Sequence, residues 1–311
     1  MTAAVPPTGD GLGDRRVVTL PAVPALGGLY VKGLAGVATS VVGRRLGRGS
    51  GALPDVAYEV AGVRADAARL TAYQHLVGES ASDALPAGFV HVLAFPLAVA
   101  VMTTPGFPFP LVGAVHVANR VEQHREARLD EPLTLRAWSQ GLRSHRAGTQ
   151  AELVVTASDA DGERVWTGVS TYLAKGVHLT DRPGPADDPA EERTPFVAPV
   201  PTGRWQLPAD EGRLYAAVSG DRNPIHVSSL AAKGFGFPRA IAHGMDTAAR
   251  ALAAVGAAHG PAFVWTAEFA RPVLLPGSPA VRVARDVDGF AYAVWDARSG
   301  KPHLTGTVRP V

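Results

Sequence analysis

The chain has 311 residues, of which 46% are hydrophobic and 19% charged, and its formal net charge is +2. This composition supplies a sizeable core and excludes wholesale disorder, and the charges form no basic cluster that would predict a nucleic-acid partner. The chain has no cysteine, which excludes disulfides, thiolate nucleophiles and cysteine-ligated zinc.

Residues 1–54 are predicted to form an N-terminal extension. The first residues lack the basic, apolar and small-residue order of a signal peptide, and together with the absence of cysteine this favours a cytoplasmic location. The apolar stretch 25–43 is interrupted by Lys32 and contains five glycines. A membrane-spanning helix needs about 20 predominantly apolar residues, so we expect a short amphipathic or surface-packing helix and no stable membrane insertion.

Residues 55–178 have the pattern of an antiparallel β-sheet. The pattern of strands appears in PLTLRAWS, GTQAELVVTAS and RVWTGVSTYLA. These segments either alternate apolar with polar residues or are continuously apolar, and they contain β-branched residues. The sequence DADG, from Asp159 to Gly162, predicts a hairpin turn between the last two. Residues 179–200, rich in proline and acidic side chains, are predicted to be a solvated linker.

Residues 201–311 repeat this organisation. The segments AVRVARDV, FAYAVWDA and HLTGTVRP predict strands, with RSGK as the turn between the last two. Each portion therefore contains one principal alanine-rich helix followed by a meander of strands. Because a sheet with one apolar face must bury it, we expect an α+β fold in which each sheet curls around its helix.

Short segments of the two portions also match each other. YQHLVGE begins at Tyr73 and YAAVSGD at Tyr215, and each has a glycine five positions after the tyrosine, followed by an acid. The helix FPLAVAVM, from Phe95, parallels HGMDTAARAL, from His243, and VEQHRE parallels AEFARP. The chain is therefore predicted to contain an internal repeat.

The segment YAAVSGDRNPIH places an acid, an amide, a proline and a histidine within six residues, Asp221 to His226. Together with the later FGFPRAIAHGM it resembles the MaoC-like family, which includes R-specific enoyl-CoA hydratases and 3-hydroxyacyl-thioester dehydratases. The resemblance is strong over roughly the last hundred residues and weak over the first half. It implies a double hotdog, in which two curled antiparallel sheets each wrap around a central helix.

The resemblance implies reversible hydration of trans-2-enoyl thioesters to (R)-3-hydroxyacyl thioesters in fatty-acid metabolism. Such a reaction needs a base for water, an acid for the α-carbon and a donor for the enolate oxygen. We expect Asp221 and His226 to hold one water between them. His226 is assigned to water activation and Asp221 to proton exchange at the α-carbon, with Asn223 supporting the loop.

Gly244 is predicted to open the alanine-rich helix and to act as the oxyanion-hole donor. The first N–H groups of a helix have no internal partner, and the helix dipole favours negative charge there. We interpret the glycine as leaving space for the thioester carbonyl. His243 is interpreted as a packed neighbour of the helix start.

The first half is predicted to be catalytically silent. An ungapped alignment places Glu79 opposite Asp221 and Ala84 opposite His226, and it puts Phe95-Pro96 where His243-Gly244 stand, with proline lacking an N–H. A gapped alignment would instead bring in His91. We also hypothesise a medium-to-long acyl group accommodated along the first-half helix, at Phe95, Leu97 and Val101.

Two other functions remain open from the sequence, a hotdog thioesterase and a non-catalytic acyl-binding protein. Neither a metal nor a cofactor is expected. The expected partner is an acyl thioester of coenzyme A or acyl-carrier protein, and a homodimer is left open. Four basic residues near the motif are candidates for phosphate contacts, namely Arg222, Lys233, Arg239 and Arg271.

Overall fold

The computed structural model describes residues 12–31, 33, 51–179 and 195–311, and within them it divides into two compact units. The first unit draws on residues 1–63, 94–120 and 132–193, and the second on Arg64–Leu93, Val121–Glu131 and Thr194–Val311. The predicted boundaries at 55–178 and 201–311 therefore do not coincide with the units, because two first-half segments pack with the C-terminal portion. Of the predicted extension 1–54 the structure describes residues 12–31, 33 and 51–54, and of the predicted linker 179–200 it describes 179 and 195–200.

The first unit is built on an antiparallel sheet with one parallel edge pair. Its strand order is β1-β2-β6-β7-β8-β4, and β1 pairs with β2 in parallel. The strands are β1 (Arg16–Thr19), β2 (Val56–Val63), β4 (Ala114–Gln123), β6 (Leu133–His145), β7 (Gly148–Ser158) and β8 (Arg164–Lys175). The predicted DADG turn joins β7 to β8, where Asp159 accepts hydrogen bonds from the N–H groups of Asp161 and Glu163.

The second unit has its own antiparallel strands in the order β10-β13-β12-β11-β9. They are β9 (Gly203–Arg204), β10 (Phe263–Phe269), β11 (Ala280–Asp286), β12 (Gly289–Trp295) and β13 (Pro302–Pro310). A small ladder pairs β3 (Ala84–Leu85) with β5 (Ala127–Arg128). The predicted RSGK turn joins β12 to β13, with Gly300 at φ 68°, a region that favours glycine.

Two short helices confirm the tyrosine–glycine repeat. Helix α1 (Ala67–Val77) ends at Gly78 and helix α3 (Glu211–Ser219) ends at Gly220, and both glycines are left-handed. Each glycine N–H donates to the carbonyl four residues earlier, on Gln74 and Ala216. The same local sequence thus ends two helices in the same way.

The principal helices are α2 (Ala87–Met102) and α6 (Gly244–Ala253), with α4 (Pro224–Val227) and α5 (Ser229–Gly234) before α6. Helix α6 begins at Gly244 as predicted and packs against β10 and β13. The prediction that Phe95-Pro96 begins the first-half helix is wrong. Pro96 lies inside α2, and the Pro86 carbonyl accepts the first hydrogen bonds from Phe89 and Val90.

The described part of the apolar stretch 25–43 is helical over residues 26–31. Leu26 and Leu29 are buried against Val99 and Ala100 of α2, which agrees with a surface-packing helix. Residues 34–43 lie outside the described part of the chain. Among the described residues, no helix is both long and apolar enough to cross a bilayer.

Candidate active site

The loop after α3 fixes the main chain of Asp221. Gly220 is left-handed at φ 79°, which ends the helix and turns the chain. The Asp221 N–H donates to Ser219 Oγ at 3.1 Å, and Asp221 Oδ1 accepts from the Asn223 N–H at 3.1 Å. The carboxylate is therefore oriented by its own loop, with a side chain that is 15% exposed.

Helix α4 places His226 opposite this carboxylate. Asn223 is its N-cap, with Oδ1 accepting from the Ile225 N–H at 3.4 Å, and Pro224 follows in the first turn. His226 Nδ1 lies 2.9 Å from the Ile241 carbonyl oxygen. Because a carbonyl only accepts, Nδ1 carries the proton in this contact, and Nε2 keeps a lone pair that can act as a base.

Asp221 and His226 converge, and His243 joins them. One oxygen or nitrogen of each side chain lies within 4.8 Å of those of the other two. A single water can bridge two groups at such a separation, since each hydrogen bond spans about 2.7–3.0 Å. The predicted meeting of Asp221 and His226 is thus present in the structure.

His243 does more than pack beside the helix. Its ring stacks on that of His226 with centroids 3.8 Å apart, and its Nε2 lies 3.0 Å from the Asp221 carbonyl oxygen. Nε2 therefore carries the proton, while Nδ1 is buried without a hydrogen-bond partner among the described residues. The Tyr215 ring also packs against the His243 ring, with centroids 4.8 Å apart.

Burial keeps the histidines of the site neutral. It lowers the pKa of His226, against the opposing effect of the Asp221 carboxylate. Burial and the neighbouring His226 lower the pKa of His243 to about 3. A neutral His226 at neutral pH is the form that can accept a proton from water.

Gly244 is the first residue of α6 and directly follows His243. Its N–H makes no hydrogen bond to any residue within the described ranges. A Cβ at this position would lie 3.0 Å from Cε1 of Phe269, a tight contact. The close approach of the Phe269 ring is therefore a second reason for glycine here, beyond the space for a thioester carbonyl that the sequence suggested.

Residues of the first half also reach this site. His91 on α2 is buried, which lowers its pKa to about 4, and the Asp221 carboxylate opposes that shift. Arg69 on α1 donates from Nε to the Val218 carbonyl at 2.6 Å and from Nη2 to the Ser219 carbonyl at 3.2 Å. These bonds satisfy the last carbonyls of α3, immediately before the loop that carries Asp221.

Few features of the sequence predict that His91 and Arg69 approach this site. His91 is a lone titratable residue in an otherwise apolar helix, and this feature of the sequence could have indicated a functional role. Glu79, which the ungapped alignment places opposite Asp221, is partly buried, which raises its pKa, and His259 opposes that shift. Its electrostatic partner is thus His259, and Ala84 belongs to the ladder between β3 and β5.

A buried charged cluster joins α3 to α6. Arg250 Nε donates to Asp246 Oδ1 at 2.9 Å, and Arg250 Nη2 pairs with Glu211. Asp246 and Glu211 are both buried. Burial, the largest cause, together with the neighbouring Glu211 raises the pKa of Asp246 to about 7, against the effect of Arg250.

The cluster of Asp221, His226 and His243 has the spacing of a small cation site. Each histidine offers one lone pair and Asp221 a carboxylate, which is a donor set that borderline cations accept. The absence of a metal therefore stays a prediction of the sequence.

Comparisons with known proteins identify the family. A sequence model of the MaoC like domain matches residues 187–288, which include Asp221, His226 and Gly244. The chain is 34% identical over 257 residues to 3-hydroxyacyl-thioester dehydratase X of Mycobacterium tuberculosis, covering 83% of this chain and 90% of that protein. The chain belongs to the MaoC-like dehydratase family.

Solved structures agree on the fold of this MaoC-like protein. The crystal structure of HtdX from Mycobacterium tuberculosis matches with a TM-score of 0.72 at 32% identity, covering 82% of this chain and all (100%) of that one. A MaoC-like dehydratase from Phytophthora capsici matches with a TM-score of 0.61 at 19% identity, covering 81% and 94%, and shows the fold alone. The predicted α+β double-hotdog fold class is confirmed.

Proposed function

We propose that this MaoC-like protein is a hydro-lyase that interconverts trans-2-enoyl thioesters and (R)-3-hydroxyacyl thioesters. One observation carries the proposal. The Asp221 carboxylate lies within 4.8 Å of a His226 nitrogen, and the tautomer of His226 leaves Nε2 free to act as a base. A thioester-binding protein without catalysis has no need of a paired acid and base.

In the hydration direction, His226 Nε2 accepts a proton from water as the water oxygen bonds to the β-carbon. The electron pair of the carbon–carbon double bond moves to the thioester carbonyl oxygen, which gives an enolate. The proton on His226 then passes to the Asp221 carboxylate, which delivers it to the α-carbon, so both groups return to their starting forms. Dehydration follows the same steps in reverse. Because Asp221 and His226 exchange one proton, their protonation belongs to the coupled pair and not to either residue alone.

The remaining groups support this reaction. The Gly244 N–H, at the start of α6, is the proposed donor to the enolate oxygen, where the helix dipole adds stabilisation. Asn223 holds the loop, because its side chain caps α4 and its N–H donates to Asp221. No step of this scheme uses a metal or a cofactor.

Several details of the substrate and setting stay predictions. They are the medium-to-long acyl group, the silence of the first half as a separate site, a homodimer and a cytoplasmic location. The predicted carrier of the acyl group is coenzyme A or acyl-carrier protein. The proposed place of the reaction is fatty-acid metabolism, since enoyl and hydroxyacyl thioesters are its intermediates.

The test compares purified Asp221→Asn and His226→Ala with the wild type on a trans-2-enoyl-CoA substrate. Loss of an acid or base should lower kcat by roughly 10²–10⁴-fold, with unchanged thermal unfolding. Asp161→Asn and His75→Ala, at exposed positions, are the matched controls. Near-wild-type turnover by either site variant would contradict the mechanism.

The same assay separates the thioesterase alternative. Loss of the absorbance of the conjugated enoyl thioester reports hydration, whereas release of free thiol reports hydrolysis. If thiol release accounted for the turnover and no hydroxyacyl product formed, the chain would be a thioesterase.

A further inference from the structure

Arg69 of α1 is a basic side chain from the first half of the chain that binds the end of α3. Its Nε donates to the Val218 carbonyl at 2.6 Å, and its Nη2 donates to the Ser219 carbonyl at 3.2 Å. The last carbonyls of a helix have no partner inside the helix, and the helix dipole makes them partly negative. A guanidinium presents several N–H donors in one plane. One side chain therefore fixes the last two carbonyls of α3 relative to α1.

The position of Arg69 is itself fixed by its surroundings. Its main-chain N–H donates to Asp66 Oδ1, the N-cap of α1, at 2.8 Å. Its guanidinium carbon lies 6.0 Å from the centroid of the Phe89 ring, and Phe89 is fully buried on α2. A cation within about 6 Å of an aromatic ring is attracted to the ring face. The half-buried Arg69 side chain is thus held in one orientation, which suits it to position other groups.

The carbonyls that bind Arg69 lie immediately before the acid of the proposed reaction. Ser219 accepts from Arg69 through its carbonyl and from the Asp221 N–H through its Oγ, at 3.1 Å. The residue between them is Gly220, at φ 79°. Glycine restricts the backbone least of all residues, so the direction of the chain at Asp221 depends on how firmly Ser219 is held. Arg69 supplies that fixed point.

We propose that Arg69 is a positioning residue for the reaction, which holds the end of α3 so that the Asp221 carboxylate faces His226 and the substrate. The inference rests on the proposed function, because it assumes that Asp221 passes the proton to the α-carbon. Arg69 belongs to the half that is predicted to be catalytically silent. That half therefore contributes to the reaction through the main chain of α3 and not through an acid or a base of its own.

The test uses Arg69→Met in the full chain with a trans-2-enoyl-CoA substrate. The change removes both hydrogen bonds and keeps an unbranched apolar side chain. It should lower kcat by roughly 10²-fold, the effect of a displacement of about 1 Å at a reacting group. KM should stay unchanged, because orientation of the carboxylate matters in the transition state and not for binding of the thioester.

Two further variants complete the comparison. Arg69→Lys keeps the charge and a donor at the helix end, so its kcat should lie between those of Arg69→Met and the wild type. Arg64→Met is the matched control, because Arg64 also donates to a main-chain carbonyl, that of Asp130, and not to α3. It should have the kcat and KM of the wild type. If Arg69→Met does not fold, Arg69→Lys takes its place in each comparison.

A double-mutant cycle separates positioning of Asp221 from a general loss of structure. In Asp221→Asn the proton transfer is already lost, so adding Arg69→Met should lower the residual turnover by no more than about twofold, whereas independent effects would multiply. A further loss of roughly 10²-fold in this background would overturn the assignment, because Arg69 would then act through some other group.

Hydrogen–deuterium exchange of the peptide 217–223 gives a readout that does not depend on turnover. Exchange should be faster in Arg69→Met than in the wild type and Arg64→Met, because the N–H of Asp221 is held less firmly by Ser219. Faster exchange supports the positioning of Asp221 even if the wild type hydrates no thioester, in which case the proposed function fails alone. If the wild type hydrates enoyl-CoA and Arg69→Met matches it in kcat, the function stands and the role of Arg69 is overturned.

Discussion

His243 makes two contacts that bear on the reaction. Its Nε2 donates to the Asp221 carbonyl, and its ring covers a face of His226. The second contact keeps water away from the His226 ring, and burial is the main reason that the pKa of His226 is low. We therefore infer that His243 is a positioning residue, which also sets the pH range in which His226, the proposed base, is neutral.

Replacing His243 should separate these two effects. His243→Ala admits water beside His226, so the pKa of His226 should rise toward its ordinary value of about 6.5. The acidic limb of kcat/KM should then move to higher pH, and kcat should fall roughly tenfold for the lost hydrogen bond. The measurement is kcat/KM from pH 4.5 to 9.

His243→Phe is the matched control. It keeps a ring over His226 and removes the hydrogen bond to Asp221, so kcat should fall while the acidic limb stays at the wild-type pH. Acidic limbs that coincide in the wild type and His243→Ala would show that the ring does not set the pKa of His226.

At the scale of single residues, the sequence was informative where a short turn fixes the geometry. The Asn223-Pro224 pair determines α4 locally, and this was enough to predict that Asp221 meets His226. His91 and Arg69 approach the loop from distant parts of the chain. A single sequence carries no information on such long-range contacts.

Helices α3 and α6 carry the two parts of the site, and a buried cluster connects them. Arg250 of α6 contacts Asp246 of its own helix and Glu211 of α3. Two buried carboxylates share one guanidinium, so retention of a proton on Asp246 keeps the cluster close to neutral. The cluster fixes the loop at Asp221 relative to the helix start at Gly244.

Asp246→Asn should change how stability depends on pH. The pKa of Asp246 is raised from its unfolded value to about 7, so the folded state holds this proton more tightly. Its contribution is complete at low pH and declines as pH rises toward 7, by up to about 1.4 kcal/mol per pH unit. Asparagine cannot ionise, so the variant should lose this decline.

Urea unfolding of the wild type and Asp246→Asn at pH 5 and pH 7 measures the difference. The exposed Asp161→Asn serves as the control, because it should keep the wild-type dependence. The explanation would fail if Asp246→Asn and the wild type lost the same free energy of unfolding between the two pH values.

The strands and turns of the structure agree closely with those predicted from the sequence, whereas the start of one helix does not. The turns DADG and RSGK lie at the positions that their residue types predicted. The internal repeat put Phe95-Pro96 at the start of the first-half helix because it aligned this pair with His243-Gly244, yet Pro96 lies inside α2. The apolar residues on every side of α2 removed the periodicity that would have marked its start at Ala87.

The unit that carries the site is assembled from three separate stretches of chain. Tyr73 of α1 is buried, its ring lies 6.5 Å from that of Tyr215, and a Cβ on Gly88 of α2 would overlap its hydroxyl. Gln123 Nε2 donates to the Pro261 carbonyl at 3.0 Å. Internal similarity predicted two contiguous halves, but it could not reveal that 64–93 and 121–131 complete the second unit.

The fragment 195–311 should therefore be neither stably folded nor active on its own. Burial of one large apolar side chain contributes about 1.5–3 kcal/mol, and the fragment lacks Tyr73, Phe89 and the Arg69 contacts to α3. Losses of this kind approach the whole stability of an ordinary domain, about 5–15 kcal/mol. Thermal unfolding followed by circular dichroism should show no cooperative transition, and turnover of enoyl-CoA should be lost.

Co-expression of residues 1–193 with the fragment is the control, because it returns 64–93 and 121–131 as a separate chain. Recovery of turnover in the co-purified pair would trace the defect to the missing segments and not to the cut itself. A fragment that melted cooperatively and matched the full chain in kcat would instead mean that the predicted boundary at 201 marks an independent catalytic domain, and that the contacts of Arg69, Tyr73 and His91 are dispensable.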